Sequence, residues 1–135
     1  MKITMQIDLS KLRRGVNATL ADIPRRTYAA LNEIANEVAG EAKDLVPFKE
    51  GHLTESIRGT VEQDDAGKSA AVIYVPANHQ AASYAIKMHE ETYNLGQGSL
   101  AKQQRVGKQV GRKFITRAME NKVGRIRRII EYYFR

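Results

Sequence analysis

Apolar residues alternate at the start of the chain, with Ile3, Met5, Ile7 and Leu9 on odd positions and Lys2, Thr4, Gln6 and Asp8 between them. A period of two is the mark of a strand with one buried face. Ser10 can then cap a short helical turn through Leu12, which Gly15 weakens. Beyond Asp22 the period changes. Leu31, Ile34, Ala35, Val38, Ala42 and Leu45 recur at three- and four-residue spacing, which predicts an amphipathic helix of about six turns near residues 23–46. Asp22 suits its N-cap, and Pro24 falls near the first helical position, where a missing amide hydrogen costs little. Gly40 inside the helix should cost close to about 1 kcal/mol relative to alanine, so either the cost is tolerated or another backbone packs closely there. Pro47 disfavours helical geometry at Val46 and ends the helix.

Gly51 marks a turn, and residues 52–57 then have room for one short helical turn. A hairpin follows, pairing roughly Arg58–Gln63 with Ser69–Val75, with Asp64, Asp65 and Gly67 as turn residues. Both faces of the second strand are apolar, Ala71, Ile73 and Val75 on one and Ala70, Val72 and Tyr74 on the other, which predicts the central strand of the sheet. Residues 80–90 admit a short helix or an irregular segment. From Thr92 to Gly111 four glycines interrupt a polar, basic run, predicting a long open loop of the kind that is usually functional or disordered. Ile115, Met119, Ile126, Ile130 and Tyr133, with Phe114 and Ala118 alongside, predict a closing helix over about 112–133, about 33 Å long at 1.5 Å per residue. The expected fold is α+β: one domain over residues 1–135, in which a small mixed or antiparallel sheet packs against a long helix in the N-terminal half and a long C-terminal helix.

Charge adds an asymmetry to this plan. Between Lys102 and Arg135 stand eleven lysines and arginines against two acids, so this last quarter carries more positive charge than the whole chain's net +7. Such a block points to an anionic partner, nucleic acid or an acidic protein surface. There is no cysteine, hence no disulfide framework and no thiolate chemistry, which suits a reducing cytoplasm. No apolar run approaches the roughly 20 residues needed to span a bilayer, and the N-terminus lacks the apolar core of a signal peptide. No membrane association is expected.

Candidate chemistry is sparse. His52, His79 and His89 are scattered, and His89-Glu90-Glu91 lacks the spacing that sets two imidazoles on one helical face. Gly67-Lys68-Ser69 resembles the end of a phosphate loop, but Glu62 stands where the first glycine must be. Gly96-Gln97-Gly98 lacks a third glycine and a preceding strand. Neither cofactor nor metal is expected, and no catalytic residue. The rival to a structural role is nucleic-acid binding: arginines and lysines of the C-terminal region could contact phosphates, and Tyr132, Tyr133 and Phe134 could stack on bases.

The order of parts resembles a known family. Ala42-Lys43-Asp44-Leu45-Val46-Pro47, then Glu50-Gly51-His52-Leu53 with Ser56-Ile57, Tyr84-Ala85, and Gly111-Arg112-Lys113-Phe114 follow the succession of runs found in tailed-phage neck or tail-completion proteins, typified by the tenth gene product of a lambdoid siphophage. The resemblance covers most of the chain from about Asp22. It implies a structural virion protein, assembled in the host cytoplasm, that forms a homo-oligomeric ring of six- or twelve-fold symmetry between the head-side connector and the tail tube, or a tail terminator ring capping that tube. DNA would pass through the lumen without sequence recognition. Ring closure requires two different complementary patches. The candidate contacts are the acidic turn at Asp64 and Asp65 and the basic residues Lys102, Arg105, Lys108, Arg112, Lys113, Arg117, Arg125, Arg127 and Arg128. Pro47, Gly51 and Leu53 are assigned to a structural turn.

Overall fold

The computed structural model describes residues 1–5, 22–63, 65 and 68–135. The expected continuation of the first strand to Leu9, the Ser10 cap, Gly15, and the turn residues Asp64 and Gly67 lie outside the described residues.

The chain is α+β. Strand β1 (Lys2–Met5) is followed by helix α1 (Asp22–Leu45), the short helix α2 (His52–Ser56), strands β2 (Arg58–Gln63) and β3 (Ser69–Tyr74), and helices α3 (Ala82–Glu90), α4 (Gln97–Val106), α5 (Phe114–Asn121) and α6 (Val123–Tyr133). The three strands form one antiparallel sheet in the order β1-β3-β2, with Ile3 and Gly59 both opposite Ile73. β3 is central, as its two apolar faces require. All six residues of the predicted α1 stripe are buried, together with Ala30, Ala39 and Val46, and share one core with Ala71 and Ile73 of the sheet, Val75 just beyond β3, and Phe114, Ile115 and Ala118 of α5.

Two glycines have opposite meanings in this packing. Gly59 of β2 lies so close to α1 that a Cβ there would sit 2.5 Å from the Ala35 carbonyl oxygen. Gly40 faces open space, with nothing within 4 Å of such a Cβ. Its helix-propensity cost is therefore simply tolerated. Gly40→Ala is expected to stabilise the fold by up to about 1 kcal/mol, readable as a higher denaturation midpoint in urea.

Two sequence expectations are corrected. The stretch from Thr92 to Gly111 is not an open loop but contains α4, ended by Gly107 at φ 68° with its N–H on the Gln103 carbonyl. Ser99 and Lys102, both polar, are its buried residues, so apolar periodicity cannot reveal it. The predicted single C-terminal helix is two, separated at Lys122 (φ −102°, ψ 8°). Asn121, Val123 and Gly124 flank the break, three weak helix formers in four positions. The break lets the chain follow α1 back from its C-terminal to its N-terminal half rather than overhang it.

Candidate docking site

Pro47 stops α1 after the Val46 N–H has bonded to the Ala42 carbonyl at 3.0 Å. The chain reverses through Gly51, whose φ of 86° is open to glycine at no steric cost, and whose missing Cβ leaves room for the Phe48 ring. Leu53 then drops into the core, and the buried Ser56 hydroxyl donates to the Leu53 carbonyl at 2.6 Å, closing α2. The turn forms one wall of a groove of about 790 Å³ whose other wall is α3 and the segment leading into α4. Its apolar lining comes from Phe48, Leu53, Tyr84, Met88, Tyr93 and Leu95. Such a concave, largely apolar surface is the ordinary form of a binding site.

The groove is held open by polar ties that sequence patterning did not single out. Ser99 Oγ accepts from the Phe48 N–H at 2.9 Å and donates to the Phe48 carbonyl at 3.2 Å. Gly98 permits this approach, since a Cβ there would lie 2.7 Å from the Phe48 oxygen. The Tyr93 hydroxyl donates to the Met88 carbonyl at 2.7 Å, and burial pushes its pKa up. Lys102 is buried, its ammonium donating to the Lys43 carbonyl, to the Val46 carbonyl at 2.7 Å and to Thr54 Oγ1 at 3.3 Å. It therefore caps the C-terminal end of α1, where carbonyls lack intrahelical partners and the helix dipole favours a cation. Burial lowers its pKa to about 8, which leaves it charged at neutral pH.

The candidate basic residues divide into those committed within the chain and those facing out. Lys108 bridges Glu41 at 2.6 Å and Asp44 at 2.8 Å. Arg125 contacts Glu37 at 3.2 Å and Glu33 at 3.3 Å. Lys113 pairs with Glu90, and Arg112 donates to the Glu90 carbonyl at 3.0 Å. Arg117 braces its own loop through the carbonyls of Arg112 and Gln109. Arg105, Arg127 and Arg128 are exposed and make no ion pair with the described residues. Of the acidic hairpin, Asp65 is exposed, Asp64 lies outside the described residues, and the neighbouring Glu62 pairs with Lys2 at 2.6 Å. The acids that the structure brings to the basic C-terminal region are thus Glu33, Glu37, Glu41 and Asp44 on α1 and Glu90 at the end of α3, all far from it in sequence.

The three histidines do different local work. His79 Nδ1 accepts from the Ala81 N–H at 3.0 Å at the start of α3, and His52 lies between Glu50 and Gln80. His89 is 1% exposed, edge-on to Phe114 with ring centres 4.8 Å apart; Nδ1 faces Glu90, and Nε2 has no hydrogen-bond partner among the described residues. Burial, outweighing the pull of Glu90, lowers its pKa below the ordinary 6.5. The unfolded chain therefore takes up the proton first as pH falls. His89 is expected to erode stability as pH drops below about 6.5. Urea midpoints measured between about pH 7 and pH 5 should fall, and His89→Leu should flatten that slope. Among the described residues no three His, Asp or Glu side chains gather as a metal site would require.

A proline-stopped helix, a left-handed glycine turn and a three-stranded antiparallel sheet define a small α+β module with a groove beside its turn. The sequence model of the HK97-gp10-like family, bacteriophage tail components, matches residues 10–87, which is 78 of the 135, and the chain belongs to that family. The match takes in the turn and the hairpin and ends within α3; the Gly111-Arg112-Lys113-Phe114 run lies beyond it. No curated protein and no solved structure matched the chain.

Proposed function

We propose that this tail component is a structural virion protein forming a ring at the head–tail junction, where it joins the connector to the tail tube and acts by assembly, not by catalysis. The observation that carries the reading is the family match, which spans the turn and its groove wall. The surfaces agree with it. The apolar groove lies at the C-terminal end of α1, while Arg127, Arg128 and Tyr132 project from α6 near the other end, so two unlike patches are available for the heterologous contact a ring requires. Tyr132, 60% exposed with Arg135 over its ring at 5.1 Å, also gives this face the means to meet DNA in a lumen.

Deleting the gene from the phage or prophage that encodes it should leave DNA-filled heads and finished tails unjoined in negative-stain images. Restoring it as Arg127→Glu/Arg128→Glu should fold normally but join few particles, because the two arginines are exposed and make no ion pair among the described residues. Normal particles without the gene would overturn the proposal. A tail terminator role would show instead as tails of uncontrolled length.

A further inference from the structure

Along α1, Glu33, Glu37, Glu41 and Asp44 stand at spacings of four, four and three residues, one above the next on a single face. Like charges so placed repel one another and destabilise a helix by themselves. In the folded chain, cations and donors from the C-terminal region cover them. Tyr133 Oη donates to Glu33 at 2.7 Å, Arg125 reaches Glu33 and Glu37, Lys122 lies 3.5 Å from Glu37, Asn121 donates to Glu41 at 3.1 Å, and Lys108 completes the row. Of the ladder's members only Arg125 and Tyr133 lie on α6, which also lays Ile126, Ile130 and Tyr133 half-buried against the core. The only buried side chain of α6 is Ile129, with Phe134 just beyond its end, whereas the shorter α5 buries Phe114, Ile115 and Ala118. Half-exposed ion pairs of this kind contribute little individually and weaken further as salt screens them. α6 also follows the helix break at Lys122 and has Gly124 in its first turn.

We propose that α6 is a hinged helix that opens about Lys122–Gly124 and is exchanged between neighbouring copies, so that the carboxylate row of one α1 is covered by Arg125 and Tyr133 of a second copy. Charge fixes the occupant. The uncovered row needs a helix presenting a cation opposite Glu33 and Glu37 and a hydroxyl at Glu33, and α6 of another copy carries both at the right spacing. Closed and exchanged forms make the same contacts, so the exchange costs little beyond the hinge, and side-by-side copies supply a high effective concentration. The inference rests on copies meeting side by side, as a ring requires, but its test uses the isolated chain, so it can fail while the head–tail reading stands.

The chain has no cysteine, which makes cross-linking clean. Glu37→Cys and Arg125→Cys single variants are mixed at high concentration, taken to about 1 M salt, where screening reaches about 3 Å, returned to low salt, and treated with a short bis-maleimide. Covalent dimers at least about tenfold above either variant alone are expected. The double variant, treated when dilute, should close within one chain. Closure in the double variant without dimers in the mixture overturns the exchange, and failure of the double variant to close overturns the docked geometry it starts from. The unmodified chain gives a second measurement: amides of residues 125–133 should exchange with deuterium at least about tenfold faster than those of residues 30–42, and faster still at high salt. Equal, salt-independent protection of both segments overturns the hinge.

Discussion

Gly59→Ala is expected to cost about 3 kcal/mol, a large share of the roughly 5–15 kcal/mol that holds a domain of this size folded. The added methyl would meet the Ala35 carbonyl oxygen at 2.5 Å and its carbon at 2.8 Å. Both are backbone atoms of a helix whose other side chains are packed, so no rotamer change relieves the clash. α1 and the sheet must separate instead, along the contact between Ala35, Val38, Ile73 and Ala71 that forms the centre of the core. Thermal unfolding followed by circular dichroism should show a midpoint lower by roughly 10 °C. Gly40→Ala serves as the internal comparison, since the same change on the solvent side of α1 carries the opposite sign. An unchanged midpoint for Gly59→Ala would mean that β2 does not pack on α1 as closely as described.

Lys102→Met should lose a similar amount, about 2–4 kcal/mol, for a different reason. Methionine keeps most of the apolar stem and removes only the ammonium, so the loss reports the cap itself. The carbonyls of Lys43 and Val46 and the hydroxyl of Thr54 would be left without their donor in a buried place. The local consequence should be as informative as the global one. Lys102 ties α4 to the end of α1 and Ser99 ties it to Phe48 just beyond, so hydrogen exchange in residues 97–106 should rise more than in the sheet. A methionine variant as stable as the parent would show that water caps α1 equally well.

How far the sequence discloses this fold depends on which force sets each element. α1 and β3 are legible because burial fixes them, and burial leaves a period that can be read directly from Leu31 to Leu45 and from Ala70 to Val75. The turn is legible because Pro47 and Gly51 restrict backbone angles locally. α4 is hidden because its anchors are a serine and a lysine, residues that patterning assigns to solvent. The break at Lys122 was visible in principle, as Asn121, Val123 and Gly124 are weak helix formers, but the apolar positions on both sides fit one stripe and masked it. Gly59 carried a signal too, since a glycine inside a strand often marks a close backbone approach. The carboxylate row on α1 is legible from its spacing, but its partners are not. Glu33 and Arg125 are 92 residues apart, and only the antiparallel return of α5 and α6 along α1 brings them within 3.3 Å.

For the candidate site, the same distinction separates the residues of the turn from the basic residues. Gly51 and Leu53 act where local geometry requires them. The cationic block from Lys102 to Arg135 looked like one surface in sequence, yet folding turns Lys102 inward as a helix cap and spends Lys108, Lys113 and Arg125 on ion pairs within the chain. Arg105 on α4 and Arg127 and Arg128 on α6, beside the exposed Tyr132, stay exposed without an ion pair among the described residues.

The central claim, a ring-forming tail component at the head–tail junction, is tested most directly by counting copies of the chain in purified particles by quantitative mass spectrometry, with gold-labelled antibody to locate them. Six or twelve copies per particle, all at the junction between head and tail, is the expected result. Particles that are complete and infectious yet contain none of the chain, or that carry it only along the tail shaft, would contradict the account.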